Sequence, residues 1–462
     1  IDSEGHRVIK HPWMRYFFNV IPNRNYNPFH LVDMYLKIGG VRTEGRGLIY
    51  QVAAADEERA GLILKREGVR EGEMLVGFHL GASKSDKTWP VSSYSELADM
   101  IVEAYGARIV LFGSPGEADL AARFETCVHA KPVNLVGKTN VGELAAILRT
   151  CGLFISNDTG PLHIATSVGT RVIDISTANV HFMETGPYGE GHYVIQADLP
   201  CVPCGFDVTC TDMICKSFIK PAAVFEIVRG VLSGDDTRFN ENIPAWNNVQ
   251  VYRSHFGNDG YLGFAPLIKR HMKKETLYCM LYRQLWNMED EKTSGDDEAM
   301  YNGISREMSY YEAVDDSSEL LRSFHREIDI IAELSDKAGQ GLDLVSSIAE
   351  EAAKGRMDIG KIKGIWQELE IVDRRIELIG HTNPCFRPLT LIFMYAKEAL
   401  EGNDLVKISA ASKTIYGDLT DRAVNMHKLM KTALYAAGAN NRQSAVHEKA
   451  LPDYGGQRSA CI

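Results

Sequence analysis

Between residue 74 and about residue 232, short apolar runs alternate with longer segments whose apolar residues recur every three to four positions. The short runs are typical of buried strands, and the three-to-four spacing is typical of amphipathic helices. The predicted strands are Met74–Leu80, Arg108–Phe112, Val133–Val136, Leu153–Ser156 and Arg171–Ile175. The predicted helices are Ser92–Tyr105, Ala118–Val128, Val141–Thr150, Leu162–Val168 and Pro221–Leu232. Strands separated by helices form βαβ units with right-handed crossovers, so the pattern predicts an α/β domain with a parallel, Rossmann-like sheet.

The pattern changes after Asp315 to long amphipathic helices. Apolar residues recur at steps of three and four over residues 321–348 and again over residues 362–379, and two further helices are predicted closer to the C-terminus. Helices of this kind with short links favour an antiparallel all-α bundle. A coiled-coil surface for a partner chain is the alternative interpretation. Under either interpretation we expect this region to mediate self-association or docking.

These patterns divide the chain into five segments. The expected segments are a partial domain with a linker at 1–72, the Rossmann-like domain at 73–235, a mixed extension at 236–313, the helical bundle at 314–437 and a disordered polar tail at 438–462. Because the sequence begins at Ile1 in the middle of what reads as a domain, we expect the natural protein to be longer at its N-terminus.

Composition excludes several classes of protein. Apolar residues make up 45% and charged residues 24% of the 462 residues, as in ordinary soluble globular proteins. The net charge of -11 argues against a general nucleic-acid binder, which would present a basic face. No apolar run reaches the roughly 18 residues of a membrane span, and no signal-peptide pattern is present. We therefore expect a cytoplasmic protein with at most peripheral contact with a membrane.

Four of the nine cysteines cluster in one short stretch, as Cys201, Cys204, Cys210 and Cys215. Without a secretion signal, reduced thiols are the default state. Four sulfur atoms could hold zinc or an iron–sulfur centre, but the spacing C-x2-C-x5-C-x4-C is not two C-x2-C pairs. A thiol-rich loop or a local disulfide is favoured over a metal site, and no metal is expected.

Residues 154–165 read FISNDTGPLHIA and hold the most informative candidate site. A predicted strand runs into Asp158, Thr159 and Gly160, and Pro161 then opens a helix. A helix N-terminus carries free N–H groups and partial positive charge, and in an open α/β sheet the carboxyl ends of strands bind ligands. The stretch therefore suits a phosphate. Alternatively, Asp158 and Thr159 simply cap the helix, which explains the same residues without a ligand.

Polar residues also follow other predicted strands of this domain. Ser83 and Lys87 could bind a pyrophosphate through hydroxyl and ammonium groups, although such loops are usually just solvated. Glu117 could accept hydrogen bonds from a ribose, or merely complement a helix dipole. His163, one turn into the helix after Pro161, is either a ligand contact or a packed core residue. The residues alone leave each pair of interpretations open.

Taken together in this order, the motifs HLGAS-x3-KTWP, VLFGSPGE, NLVGKT-x3-ELAAIL, FISNDTGPLHIA, TGPYG and C-x2-C-x5-C resemble the nucleotide-binding half of the ADP-heptose:lipopolysaccharide heptosyltransferase family (glycosyltransferase family nine). The resemblance covers roughly residues 74–230, and residues 12–41 look like the end of the family's first, acceptor-side domain. It implies a GT-B fold, in which two Rossmann-like domains face each other across the active site.

The resemblance also implies roles for individual residues. Ser83 and Lys87 are assigned to the donor phosphates, and Glu117 to the nucleoside. The donor diphosphate and its sugar are assigned to Asp158, Thr159, Gly160 and His163. The implied reaction is inverting transfer of a heptose-like sugar from a nucleoside-diphosphate donor to lipopolysaccharide or another surface glycan, at the cytoplasmic face of the inner membrane. Because fixed positive groups neutralise the leaving diphosphate, no metal and no further cofactor are expected.

The sequence departs from the family in one respect. The family's catalytic base comes from a glycine-rich loop early in the first domain, and residues 1–73 contain no matching loop, so the base is expected upstream of Ile1. The remaining candidates for an acceptor surface are Lys10, His11, Arg15 and Arg24, which ordinary solvated charges would explain equally. The alternative function is a catalytically inactive sugar-nucleotide-binding scaffold that acts through the helical region.

Two other enzyme classes fit poorly. A Rossmann oxidoreductase would need G-x-G-x-x-G between a strand and a helix, and a P-loop NTPase would need G-x4-G-K-[ST]; neither motif is present. The donor's base and sugar, the acceptor and the oligomeric state are not determined by the sequence.

Overall fold

The computed structural model describes residues 11–20, 23–41, 46–205, 208–234, 239, 243–291, 297–312, 319–354, 357–400, 402 and 404–449. The chain divides into two compact units, one of residues 28–269 and one of residues 1–27 together with 270–462. The boundaries of these units differ from the five segments expected from the sequence. In particular, residues 1–72 do not form a unit of their own, because the division falls between Asn27 and Pro28.

The unit of residues 28–269 is built on one eight-stranded sheet with the strand order β3-β2-β1-β4-β5-β6-β7-β8. The strands are β1 (Leu75–His79), β2 (Arg108–Phe112), β3 (Val133–Asn134), β4 (Leu153–Ser156), β5 (Val172–Ser176), β6 (Tyr193–Ala197), β7 (Val249–Phe256) and β8 (Leu262–Pro266). Pairing is parallel from β3 through β6 and antiparallel from β6 to β8. The first six strands therefore have the Rossmann order, which confirms the predicted fold class.

Helices lie along the chain between and after the strands. They are α1 (Pro12–Val20), α2 (Leu31–Ile38), α3 (Ala54–Arg66), α4 (Val91–Tyr105), α5 (Ala118–Cys127), α6 (Val141–Thr150), α7 (Gly160–Ser167), α8 (Phe182–Thr185), α9 (Ile214–Phe218), α10 (Pro221–Ser233), α11 (Lys274–Glu291), α12 (Asp297–Met308), α13 (Glu319–Ala352), α14 (Ile359–Thr382), α15 (Arg387–Glu398) and α16 (Leu405–Lys449). Short 3-10 turns occur at Arg24–Tyr26, Ser85–Lys87, Pro115–Glu117 and Pro244–Trp246.

The sheet is buried on both faces, as expected for a parallel sheet covered by crossover helices. One face packs Phe78 and Ile155 against Leu97 of α4 and Ile227 of α10. The opposite face packs Phe112 and Phe154 against residues of α6 and α7. Every residue of β1, β4, β5 and β6 is buried. The core therefore holds the carboxyl ends of β1 and β4 in a fixed register.

Residues 28–41 are tied to this sheet unit by a buried carboxylate on α2. Asp33 is fully buried and accepts hydrogen bonds from the Tyr188 hydroxyl at 2.6 Å and from the Leu262 amide at 3.0 Å. Burying a carboxylate is tolerated only when hydrogen bonds replace its water. The second half of the expected N-terminal segment thus belongs to the Rossmann-like unit.

In its described part, the second unit is all-α, as predicted, but it is larger than the expected bundle at 314–437. Helix α13 packs against α14 and α16, and α15 packs against the same two helices. Helix α1 packs on α15, whereas α11 and α12 pack on α16. The indole of Trp286 on α11 lies 5.3 Å from that of Trp13 and 4.7 Å from the ring of Tyr16. Helix α16 continues to Lys449, where a disordered tail was expected from residue 438. No helix in the described ranges has the length and apolarity of a bilayer span.

Candidate functional site

The predicted loops meet at the carboxyl ends of β1 and β4. These two strands are neighbours at the centre of the sheet, although β2 and β3 come between them in the sequence. The chain leaves β1 toward β2 on one side and leaves β4 toward β5 on the other, so the two loops diverge. Such a switch point opens a crevice in which open α/β sheets bind ligands.

A buried asparagine joins the two loops. The Asn157 side-chain amide donates to the carbonyl oxygens of Leu80 (3.1 Å) and Gly81 (2.9 Å), and its oxygen accepts from the Trp89 amide at 2.9 Å. Asn157 has no solvent exposure. Both ends of the β1–α4 loop are therefore held to the end of β4. Asn157 was not among the predicted site residues, although a polar amide directly after a buried strand is a signal that the sequence contains.

Lys87 and Asp158 face each other across the crevice. The Lys87 ammonium lies 3.5 Å from Asp158 Oδ2, and the Thr185 hydroxyl donates to the same oxygen at 3.3 Å. The side chains are 19% and 10% exposed, so the pair is reachable from solvent yet mostly desolvated. The Thr177 hydroxyl donates to the Lys87 carbonyl at 3.0 Å and fixes the backbone of this turn. The structure thus brings together two of the residues predicted for the donor diphosphate.

No side chain among the described residues caps the N-terminus of α7, so the capping interpretation of the sequence is wrong. Thr159 occupies the N-cap position, but its side chain accepts no hydrogen bond from the helix amides. Its hydroxyl instead lies 3.1 Å from His79 Nδ1 and 3.0 Å from Ser156 Oγ. The Asp158 carboxylate is directed to Lys87 and Thr185. The positive end of the helix is therefore left to another acceptor, which suits an anion.

Glu117 is held by its own loop and by a histidine. Its Oε2 accepts from the Ser114 amide at 2.6 Å and the Ser114 hydroxyl at 2.8 Å, and its Oε1 lies 3.1 Å from His79 Nε2. Burial raises the pKa of Glu117, but the contacts with His79 and Ser114 outweigh it and lower that pKa to about 2. Glu117 is therefore ionised, and one hydrogen-bonded network joins the ends of β1, β2 and β4 through His79 and Thr159.

Gly81 makes room for this network. A Cβ at Gly81 would lie 1.6 Å from Glu117 Oε1, so Gly81→Ala must displace the carboxylate from His79. We expect Gly81→Ala to lower the free energy of unfolding by about 1–3 kcal/mol, the range for disrupting a buried polar contact. The control Gly116→Ala lies in the next loop, where the nearest atom to a new Cβ is 3.8 Å away. Equal urea midpoints for the two variants would contradict the packing described.

The remaining predicted site residues lie at the same edge of the sheet with fewer contacts. Ser83 is exposed, and no hydrogen bond of its side chain is found among the described residues. Gly160 is also exposed, with open space where a Cβ would project. His163 is partly buried; burial lowers its pKa, and the nearby Asp158 carboxylate opposes that shift. Their assignment to a donor stays a prediction.

The four clustered cysteines are free thiols. Burial and, after it, the neighbouring Cys201, Cys215 and Cys210 raise the pKa of Cys204. Among the described residues, however, no group of three or more His, Cys, Asp or Glu side chains is arranged as a metal site. The described part of this loop contains no disulfide, although a local disulfide was one expected form.

The candidates for an acceptor surface are not part of this site's unit. Lys10 lies outside the described residues, and His11, Arg15 and Arg24 belong to the helical unit. Arg24 is only 8% exposed, because its 3-10 turn packs against α11. The interpretation of Arg24 as an ordinary solvated charge is therefore wrong.

Comparison with known proteins finds a family match over the region that contains these candidate residues. Residues 51–212 match the model of glycosyltransferase family 9 (heptosyltransferase). Lipopolysaccharide core heptosyltransferase OpsX of Haemophilus influenzae is 33% identical over 109 residues, which cover 23% of this chain and 31% of that protein. Lipooligosaccharide heptosyltransferase 2 of Campylobacter jejuni is 28% identical over 172 residues, covering 36% of this chain and 53% of its own. The chain thus spans between about a third and about half of the length of these curated relatives.

Two solved structures are similar to part of the chain. A glycosyl transferase family 9 protein of Veillonella parvula is 24% identical, with a TM-score of 0.39, over 45% of this chain and 62% of that one. ADP-heptose lps heptosyltransferase II of E. coli is 19% identical, with a TM-score of 0.34, over 41% of this chain and 54% of that one.

Proposed function

We propose that this chain, whose residues 51–212 belong to glycosyltransferase family 9 (heptosyltransferase), binds the diphosphate of a nucleotide-activated sugar between Lys87 and the N-terminus of α7. The observation that carries the proposal is the uncapped helix end beside a reachable ammonium group. Both groups are positive and both lie at the switch point. The helix end has no side-chain cap among the described residues, and the contact of Lys87 with Asp158 is long, at 3.5 Å. A diphosphate matches this arrangement in charge and in the number of oxygen acceptors.

Donor binding would exchange one ion pair for another. Lys87 lies at 3.5 Å from Asp158, a long contact for a lysine–carboxylate pair, so little is lost when the ammonium turns toward a phosphate. Asp158 would then keep its bond from Thr185 and face the sugar hydroxyls. Ser83 and Gly160, which have open surroundings, would donate to the phosphates, and Glu117 would border the nucleoside.

The proposed reaction is inverting transfer of a heptose-like sugar to a lipopolysaccharide or other surface-glycan acceptor. A base removes a proton from the acceptor hydroxyl, the oxygen attacks the anomeric carbon, and the diphosphate leaves with the electron pair of the broken bond. Lys87 and the α7 amides would stabilise the charge that develops on the leaving diphosphate, without a divalent cation. The base would come from an acceptor-side domain, as the resemblance to the family implies. The sugar transfer would take place in the cytoplasm, at the face of the inner membrane where the acceptor would be anchored.

A panel of nucleoside diphosphates tests this proposal. We expect ADP, and more strongly ADP-heptose, to raise the melting temperature of the chain and to titrate to one site by calorimetry, with EDTA present throughout. At a concentration of about 100 times Kd, the stabilisation should approach about 2.7 kcal/mol. UDP and GDP measure selectivity for the nucleobase, and AMP measures how much of the affinity comes from the second phosphate. The proposal is wrong if AMP binds as tightly as ADP, or if no diphosphate binds.

A further inference from the structure

A carboxyl group lies inside the sheet next to the proposed diphosphate site. Asp174 is the third residue of β5, and its side chain has no solvent exposure. In the strand register Asp174 pairs with Ser156, the last residue of β4. Asp158 follows Ser156 by two residues, in the β4–α7 loop. The other residues of β5 are apolar or, at Ser176, a hydroxyl. A carboxyl group in the middle of a buried parallel strand is unusual and calls for a physical reason.

The hydrogen bonds of Asp174 do not suit an ionised carboxylate. The Ser176 hydroxyl donates to Oδ2 at 2.8 Å, while Oδ1 is buried and has no hydrogen-bond partner in the part of the chain that the structure describes. Within the same residues Asp174 forms no ion pair. An isolated buried carboxylate with one neutral donor is strongly unfavourable, and such groups take up a proton instead.

The surrounding charges act in the same direction. Burial raises the pKa of Asp174 well above its usual range, and the Asp158 carboxylate on the β4–α7 loop raises it further; Ser176 and Lys87 oppose these effects. Alternation along β5 puts Asp174 on the same face of the sheet as Val172, which packs with residues of α7. The titratable group of α7 is His163, whose pKa burial lowers. Lys87 forms its ion pair with Asp158 and acts on Asp174 only through space.

We propose that Asp174 is a positioning residue that holds a proton at neutral pH, so that the donor diphosphate meets one carboxylate charge instead of two. The inference rests on the proposed function. Asp174 does not touch the donor. Because Asp174 is protonated and neutral, the charged side chains of the site are the ammonium of Lys87 and the carboxylate of Asp158. Were Asp174 ionised, Lys87 would be held by two anions and the incoming diphosphate would be repelled.

The first measurement tests the proton without any donor. A native group that keeps its proton above the unfolded pKa makes the folded state bind more protons, so stability falls as pH rises. From about pH 5 to pH 8, the unfolding equilibrium constant of the full chain should rise up to tenfold per pH unit relative to that of Asp174→Asn, which lacks the proton. Parallel pH profiles for the two proteins would overturn the proposal.

The second measurement tests the link to the donor. Asn is a neutral isostere of protonated Asp, so Asp174→Asn should bind ADP at pH 7 within about twofold of the unaltered chain. Binding that is tighter by fivefold or more would mean that Asp174 was ionised, which contradicts the proposal. If ADP binds neither protein, the proposed function fails, while the stability profiles still decide the protonation state.

A second variant covers the case in which Asp174→Asn does not fold. Ser176→Ala removes the hydroxyl that favours the ionised form. With the proton in place, the fold-change in the unfolding constant caused by Ser176→Ala should be the same at pH 5 and pH 7. A fold-change that is several times larger at pH 7 would reveal a buried charge and overturn the proposal.

Discussion

Replacing Lys87 by alanine is expected to weaken ADP binding by about 10- to 150-fold, the equivalent of one lost charge-assisted hydrogen bond. The ammonium is the side-chain cation that faces Asp158 in the crevice, so its loss also leaves that carboxylate unpaired toward the incoming phosphates. The fold should be almost unaffected, because a partly exposed pair at 3.5 Å contributes at most about 1 kcal/mol. Calorimetric titration with ADP and a thermal melt without ligand measure the two effects separately.

A matched lysine controls for the change in net charge. Lys131 is exposed and precedes β3, at the opposite edge of the sheet from the carboxyl ends. Lys131→Ala should bind ADP as the unaltered chain does. Adding Asp158→Asn to Lys87→Ala should recover part of the affinity, because it removes the unpaired carboxylate. Equal affinities for Lys87→Ala and Lys131→Ala would place the diphosphate elsewhere.

The largest effect on stability is expected for Asn157→Ala. The change removes three hydrogen bonds. The Trp89 amide and the carbonyl groups of Leu80 and Gly81 then stay buried without these partners. Unsatisfied buried groups cost about 1–3 kcal/mol each, and relaxation recovers part of that, so we expect a loss of about 3–5 kcal/mol. Urea unfolding should show the loss, and hydrogen exchange should show lost protection of the Trp89 amide.

An exposed asparagine of the same unit provides the comparison. Asn247 follows a 3-10 turn after α10 and is exposed. Asn247→Ala should change stability by no more than about 0.5 kcal/mol, the usual range for surface substitutions. Asn157→Asp keeps the acceptor for Trp89 but loses both donors, so it should also destabilise the unit. A mild effect of Asn157→Ala, with intact protection at Trp89, would mean that the β1–α4 loop is held by other contacts.

The sequence was sufficient to predict the Rossmann-like sheet, because apolar periodicity and turn residues are local signals. Strands β1 to β5 and their helices lie within one or two residues of their predicted bounds, and the loops with Lys87 and Asp158 meet as the carboxyl ends of parallel strands must. The antiparallel β7 and β8 were not predicted, since the edge of the sheet they extend is formed by residues far away in the chain. Residues 12–27 were expected in one segment with residues 28–72, whereas the structure groups them with residues 270–462.

The sequence by itself determined the fold class and the strand-end loops with their polar residues, since all of these depend on which residues follow one another. The tertiary structure alone decided what those side chains do. It directed Thr159 toward His79 instead of the helix amides, placed Glu117 in contact with His79 and Ser114, and used Asn157 to join two loops. It also buried Asp174 beside Asp158. Hydrogen-bond partners and burial depend on atoms brought together from distant parts of the chain, and linear spacing carries no record of those distances.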